Sequence, residues 1–254
     1  SGGGAPGPAV GYRQSGGAFT VTGTGDIAPS EPGPAGLGTT VAQPLIGTFA
    51  ALIAMVIVGV MFSTAEYRRG LIRTTLAATP RRGRVLAAKA TVLAAVTFLA
   101  GLIAATVVVT LGVRVLRGSG VYVWPLSVAT ELRVIAGTAA LLALAAVLGL
   151  AIGTMLRRSA VAVATGIVVV VLPYLLAVVI PVLPAAATGW LLRLTPAAAF
   201  AIQQTVPQYP QVDNVYSPVF GYYPLPPWAG FAVLCAWAAL ALAVATLLLN
   251  KRDA

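Results

Sequence analysis

Long runs of apolar residues alternate with short polar segments along this chain. A helix that crosses the hydrocarbon layer of a membrane, roughly 30 Å thick, needs about 20 apolar residues at about 1.5 Å each. Five windows reach that length, and not one contains Asp, Glu, Lys or Arg. They are residues 41–62, 90–113, 134–156, 160–183 and 228–249. The pattern predicts an all-α, polytopic helical membrane protein with five spans in this chain.

The amino-acid composition agrees with a membrane protein and limits the classes of binding partner. Of 254 residues, 59% are hydrophobic and 9% are charged, which is too few polar groups for a water-exposed surface. The formal net charge of +10 would suit a nucleic-acid partner, but the basic residues are sorted by loop and do not form one face. We therefore expect membrane lipid and no nucleic acid as a partner.

The sorting of basic residues predicts the topology. Seven lie between the first two spans, two between the third and fourth, and two in the tail, which makes 11 on one side against 5 on the other. The positive-inside rule places the richer side, and the C-terminus with it, in the cytoplasm, and residues 1–40 outside a plasma membrane. An external N-terminus needs a translocating segment, and residues 1–40 contain no apolar core. We expect one more helix upstream of Ser1, which would give six spans.

The chain divides accordingly into two parts. Residues 1–40 form an external segment rich in Gly and Pro, in which residues 18–22 alternate like a short strand of a hairpin. Residues 41–254 form the transmembrane domain, with a cytoplasmic loop at 63–89 and an external loop at 184–227.

The cytoplasmic loop predicts two helical pieces. The first is a short amphipathic helix that ends before Thr79. The second begins at Thr79 and Pro80, which suit an N-cap and a first helical position. Apolar side chains recur in the first piece at helical spacing among basic residues, namely Tyr67, Leu71, Ile72 and Leu76. Two interpretations stay open. The amphipathic helix rests on anionic lipid, at about 1 kcal/mol per basic residue, or it docks a cytosolic motor protein.

Absent residue types exclude several functions. With no His, Ser-His relays and His metal sites are impossible. The single Cys235 forms neither an intrachain disulfide nor a redox pair, and no nucleotide-binding P-loop string occurs. The five spans also hold no acid with which to couple ion movement. We expect no enzymatic activity, no metal and no cofactor.

Two features of the spans concern packing. Gly149 and Gly153 form a G-x-x-x-G pattern that lets another helix approach, either in this chain or in a second protomer. Pro173 and Pro181 should kink the fourth span, which would either line a cavity or serve packing alone.

The segment EYRRGLIRTTLAATPRRGRVLAAKA, beginning at Glu66, resembles the cytoplasmic loop of type 2 ATP-binding-cassette exporter permeases, especially those of high-GC actinobacteria. LTPAAA and AIQQT, within residues 194–205, resemble the external segment before that family's last span. The resemblance implies a six-span permease that pairs with a second permease protomer, as a homodimer or heterodimer. A separate nucleotide-binding ATPase subunit would drive it. The resemblance implies that the family's first span has no counterpart in this sequence, in line with the helix that we expect upstream of Ser1.

The resemblance also implies site residues. The helix from Glu66 would be the coupling helix seated in the ATPase, with Glu66 oriented by Arg69 or Arg73 and with an apolar docking face of Leu71, Ile72 and Leu76. In the external loop, Gln203 and Gln204 would belong to a lid near the exit of the pathway. The tyrosines after them either join that lid or form an interfacial belt.

The function we expect is export of a hydrophobic or amphipathic substrate, with ATP hydrolysed by the separate subunit. The alternative is a non-transporting membrane scaffold that recruits a cytosolic partner or anionic lipid through its basic loop.

Overall fold

The computed structural model describes residues 11–15, 18–22, 39–68, 82–121, 123, 125–179, 184–205 and 223–252. Within these ranges five helices are long and apolar enough to cross a membrane. The predicted fold class, a helical membrane protein with several spans, is confirmed.

Six α-helices carry most of the described chain: α1 (Thr48–Arg68), α2 (Arg82–Gly118), α3 (Val128–Leu156), α4 (Ser159–Val170), α5 (Ala185–Leu194) and α6 (Pro227–Arg252). Two 3-10 helices add to them, Gln43–Gly47 before α1 and Pro196–Gln203 after α5. Near the start of the chain, β1 (Gly11–Ser15) and β2 (Ala18–Thr22) pair as an antiparallel hairpin. The strand predicted at residues 18–22 is confirmed.

The second span is longer than its apolar window. α2 has 37 residues, which corresponds to about 55 Å at about 1.5 Å per residue. Arg82, Arg84 and Lys89 occupy its first turns, and Arg114 and Arg117 its last turns. The apolar window identified only the part that crosses the hydrocarbon layer, because the helix continues into charged turns that water can solvate at both ends.

The fourth span is broken near its proline. α4 ends at Val170, a single helical turn follows at Leu172–Tyr174, and a π-helical turn occupies Leu175–Val179. Pro173 has no backbone N–H with which to continue the ladder of hydrogen bonds, so the helix changes its pattern there. The distortion predicted at Pro173 is confirmed, whereas Pro181 lies outside the described residues.

The third span is the centre of the bundle. In α3, 83% of the membrane-crossing window is buried inside the protein, against 22–33% in the other four spans. α3 packs against α1, α2, α4, α6 and the 3-10 helix Pro196–Gln203. Its N-cap is Ser127, whose hydroxyl accepts from the Thr130 N–H at 3.2 Å. The surrounding helices expose apolar side chains such as Val96, Ile103 and Leu240 on their outer sides, as lipid contact requires.

Candidate functional site

The basic loop between the first two spans is framed by α1 and α2. Glu66 lies in the last turn of α1, which ends at Arg68, and α2 begins at Arg82. The other predicted coupling residues, namely Arg69, Leu71, Ile72, Arg73 and Leu76, lie outside the described residues. Their docking role stays a prediction.

The start of α2 and the end of α6 lie together. Leu86 and Leu249 are buried in one apolar cluster. A Cβ atom built on Gly83 would lie 3.2 Å from Cγ2 of Thr246. The start of α2, with Arg84, and the end of α6, with Lys251, are therefore at the same end of the bundle, which we call the loop end. The opposite end, where α1, α3 and α6 begin, we call the lid end.

Glycines bring α1 and α3 into backbone contact. A Cβ atom built on Gly149 would lie 2.4 Å from the carbonyl oxygen of Val56, and one built on Gly153 would lie 2.1 Å from the hydroxyl of Ser63. One built on Gly59 of α1 would lie 2.0 Å from the carbonyl oxygen of Ala146. The helix that covers Gly149 and Gly153 is thus α1 of the same chain, running parallel to α3. Sequence reasoning missed Gly59, although a lone glycine in an apolar span is a signal of close approach.

Several hydroxyls in the spans are satisfied by their own helix. Thr97, Thr106, Thr154 and Thr246 each donate to the backbone carbonyl four residues earlier, at 2.6–2.8 Å. This local bonding is common for threonine in membrane helices and places no polar group on a pathway.

The 3-10 helix Pro196–Gln203 turns back into the bundle at the lid end, and all of its residues are buried. Two glycines make room for it. A Cβ atom on Gly137 of α3 would lie 2.2 Å from Cγ1 of Ile202, and one on Gly230 of α6 would lie 2.2 Å from the carbonyl oxygen of Ala198. The segment is therefore a packed insert between α3 and α6, which we call the buried 3-10 helix.

Gln203 links the buried 3-10 helix to two spans. Its side-chain amide donates to the hydroxyls of Thr48 in α1 and Thr138 in α3, both at 3.0 Å. Thr138 in turn donates to the carbonyl oxygen of Val134 at 2.7 Å. All three side chains of this link are buried. We call Gln203, Thr48 and Thr138 the polar link.

Gln204 continues the polar contacts toward the lid end. Its backbone carbonyl accepts a hydrogen bond from the guanidinium of Arg133, so a cation caps the last turn of the buried 3-10 helix. Its side-chain carbonyl accepts from the backbone N–H of Tyr223 at 3.2 Å. Burial raises the pKa of the Tyr223 phenol well above its ordinary value, and the neighbouring Tyr174 raises it further, so this phenol stays neutral.

Three aromatic rings meet beside the break in the fourth span. The ring of Tyr174 stacks on Phe49 of α1 at 5.0 Å between centroids and lies 4.5 Å from the ring of Phe200. Phe200 belongs to the buried 3-10 helix, so the cluster joins α1, the broken span and the insert. Phe200 is buried, and Phe49 and Tyr174 are partly buried against the same core cluster.

No described group of three or more His, Cys, Asp or Glu side chains could hold a metal ion. Cys235 is a free thiol within α6. The described residues form a packed helical core, a polar link and an aromatic cluster.

A family model described as "ABC-2 family transporter protein" matches residues 9–254. No curated protein and no solved structure matches the sequence at a significant level.

Proposed function

We propose, because this chain belongs to the ABC-2 transporter family, that it is the membrane-spanning permease of an exporter whose ATP is hydrolysed on a separate nucleotide-binding subunit. The family makes the chain a multi-pass permease component of an ATP-binding-cassette transporter and not the ATPase itself. The observation that carries the proposal is the match over residues 9–254, which takes in all five candidate spans.

The substrate we propose is hydrophobic or amphipathic. The apolar windows of the spans contain no charged side chain with which to replace the hydration shell of a bare ion. Phe49 and Tyr174, which are only partly buried, would offer ring surface to an apolar molecule at the lid end, while Phe200 is buried in the core. The break at Pro173 beside the cluster gives the wall a segment that can change its hydrogen bonding.

Coupling would run along α1. Glu66 in the last turn of this helix adjoins the predicted coupling segment with Arg69, Arg73 and Leu76, and Thr48 at the first turn belongs to the polar link. Glu66 stands 18 positions after Thr48, which corresponds to about 27 Å at about 1.5 Å per residue. Because α1 is seated on α3 through glycines, displacement of the coupling segment would shift both helices and the Gln203 contact together.

The remaining parts of the proposal follow the charge distribution and the resemblance. The loop end, with its basic residues, faces the cytoplasm of the plasma membrane, and the lid end faces outward. Gln203 and Gln204 hold the lid segment in place from within the bundle. A second permease protomer completes the pathway.

Co-purification with the nucleotide-binding subunit tests the proposal. Replacing Leu76 by Asp puts a charge on the predicted docking face and should abolish both co-purification and stimulated ATPase activity, while membrane insertion stays intact. Ala77→Asp is the matched control. Each residue of a helix is rotated by about 100° from the one before, so the side chain at position 77 is expected to point away from the face of Leu71 and Leu76. It should bind the ATPase normally.

The scaffold alternative predicts a different result. A helix that rests on anionic lipid would lose membrane-surface contact in the Leu76→Asp variant but would show no ATPase subunit in the wild-type preparation either. If no ATPase co-purifies with the wild-type chain, the exporter hypothesis is wrong and the scaffold hypothesis takes its place.

A further inference from the structure

The end of α5 lies within the leaflet at the lid end. The indole N–H of Trp237 donates to the carbonyl oxygen of Leu194 at 2.9 Å, and Trp237 stands ten residues after Pro227, where α6 begins. That is about 15 Å along α6 at about 1.5 Å per residue, and the side chain leans back toward the helix start. Leu194 is thus between the start of α6 and the middle of a hydrocarbon layer roughly 30 Å thick.

The outward face of α5 carries an indole, a guanidinium and an isobutyl group. Trp190, Arg193 and Leu194 share this face at helical spacing, and the side chains of Trp190 and Leu194 are 59% and 61% exposed. Leu192 on the opposite face is buried. The guanidinium carbon of Arg193 lies 5.8 Å from the centroid of the Trp190 ring. Trp and Leu beside a cation form the surface of a helix at the boundary between headgroups and acyl chains.

Arg193 lacks a counter-charge within the described part of the chain. The one acidic side chain whose surroundings the structure describes is Glu131, and no ion pair joins it to Arg193. An arginine stays protonated even when poorly hydrated, and a cation at this depth requires an anionic partner or a route to water.

We propose that Trp190 and Arg193 form a binding site for an anionic phospholipid of the leaflet at the lid end. The guanidinium of Arg193 binds the headgroup phosphodiester with its fork of N–H donors, while Trp190 and Leu194 pack against the glycerol and the first acyl carbons. A zwitterionic lipid binds less tightly because its own cation competes for the phosphate. The site requires only that α6 spans the membrane, so it stands independently of ATP-driven transport.

Native mass spectrometry of the detergent-purified chain tests the site by titration with phosphatidylglycerol and, separately, with phosphatidylcholine. The wild-type chain should bind the first phosphatidylglycerol more tightly than phosphatidylcholine. Arg193→Gln should weaken that binding about fivefold, as expected for one basic residue at a membrane surface. Arg193→Lys should bind with an affinity between those of the wild-type chain and Arg193→Gln, because the ammonium keeps the charge but lacks the fork of donors.

Arg117→Gln is the matched control, because Arg117 is also an exposed arginine at the lid end, in the last turn of α2. It should bind phosphatidylglycerol like the wild-type chain. Equal affinity of the wild-type chain for the two lipids, or equal weakening by Arg117→Gln and Arg193→Gln, would overturn the site in favour of diffuse attraction. If Arg193→Gln cannot be purified, the wild-type comparison of the two lipids and the Arg193→Lys titration decide.

Discussion

Gly149 and Val56 touch through backbone: a methyl group on Gly149 would come within 2.4 Å of the carbonyl oxygen of Val56. Gly59 makes the reciprocal contact from α1 against the carbonyl oxygen of Ala146. At these two contacts a glycine faces a carbonyl oxygen of the other helix, so main-chain atoms set the separation there. A membrane offers no hydrophobic driving force for helix association, which leaves such close packing to hold α1 on α3.

Gly149→Ala should therefore destabilise the protein. The added methyl group forces the helices apart, and overpacking of this kind costs about 1–3 kcal/mol. The gain in helix propensity from Gly to Ala, about 1 kcal/mol, offsets part of that cost. The measurement is the thermal unfolding midpoint of the purified chain in one detergent.

Gly118→Ala provides the control for this substitution. A Cβ atom at Gly118 would meet nothing within 4 Å, so the same chemical change at the end of α2 should leave the midpoint unchanged or slightly raised. Equal midpoints for the two variants would show that the α1 and α3 contact is not held by the glycine.

The polar link should behave as a coupled pair. Gln203→Met keeps the side-chain volume and removes the amide, and Thr138→Val removes one acceptor of that amide. A double-mutant cycle on unfolding free energies should give a coupling of about 0.5–1.5 kcal/mol, the range measured for hydrogen bonds between membrane helices. Additive single-variant effects would mean that the amide is not bonded to Thr138 in the membrane.

The orientation of the bundle can be tested at the two ends of α2. Arg84 and Ser119 are exposed and stand at the loop end and the lid end respectively. In a Cys235→Ala background, Cys placed at Ser119 should react with a membrane-impermeant maleimide added to intact cells. Cys placed at Arg84 should react only after permeabilisation. The opposite labelling pattern would invert the topology.

How far the sequence predicts the fold depends on the kind of signal. The five spans are predictable because an uncharged run of about 20 residues has few stable places other than a membrane helix. The ends of the helices are harder to predict, because a helix such as α2 continues past the apolar window into turns with Arg82 and Arg117. The break in the fourth span is predictable from Pro173, since the missing N–H is a local property.

Contacts between distant parts of the chain are where the sequence falls short. Gly149 and Gly153 mark a close approach but do not name the helix that covers them, because Gly59 carries no spacing signal. Gln203 is 155 residues from Thr48 and 65 from Thr138, so no local pattern could pair them. The buried 3-10 helix belongs to residues 184–227, which the sequence predicted only as an external loop. Burial of the stretch from Pro196 onward depends on space made by Gly137 and Gly230.

The predicted coupling segment is supported by the sequence and only indirectly by the structure. The resemblance assigns roles to Leu71, Ile72 and Leu76, and these residues lie outside the described part of the chain. The structure contributes the position of Glu66 on α1 and the common end shared by the start of α2 and the end of α6. The docking face therefore stays a prediction that rests on helical spacing.

The energy source of transport is the central claim, and inverted membrane vesicles that contain the permease and its ATPase subunit test it most directly. The measurement is uptake of a fluorescent amphipathic probe, chosen because it stimulates the ATPase, with and without a protonophore at constant ATP. Because the apolar windows of the five spans contain no acid through which to couple proton movement, uptake should persist when the proton gradient is collapsed and should stop when ATP is removed. Loss of uptake on adding the protonophore while ATP stays constant would contradict the account.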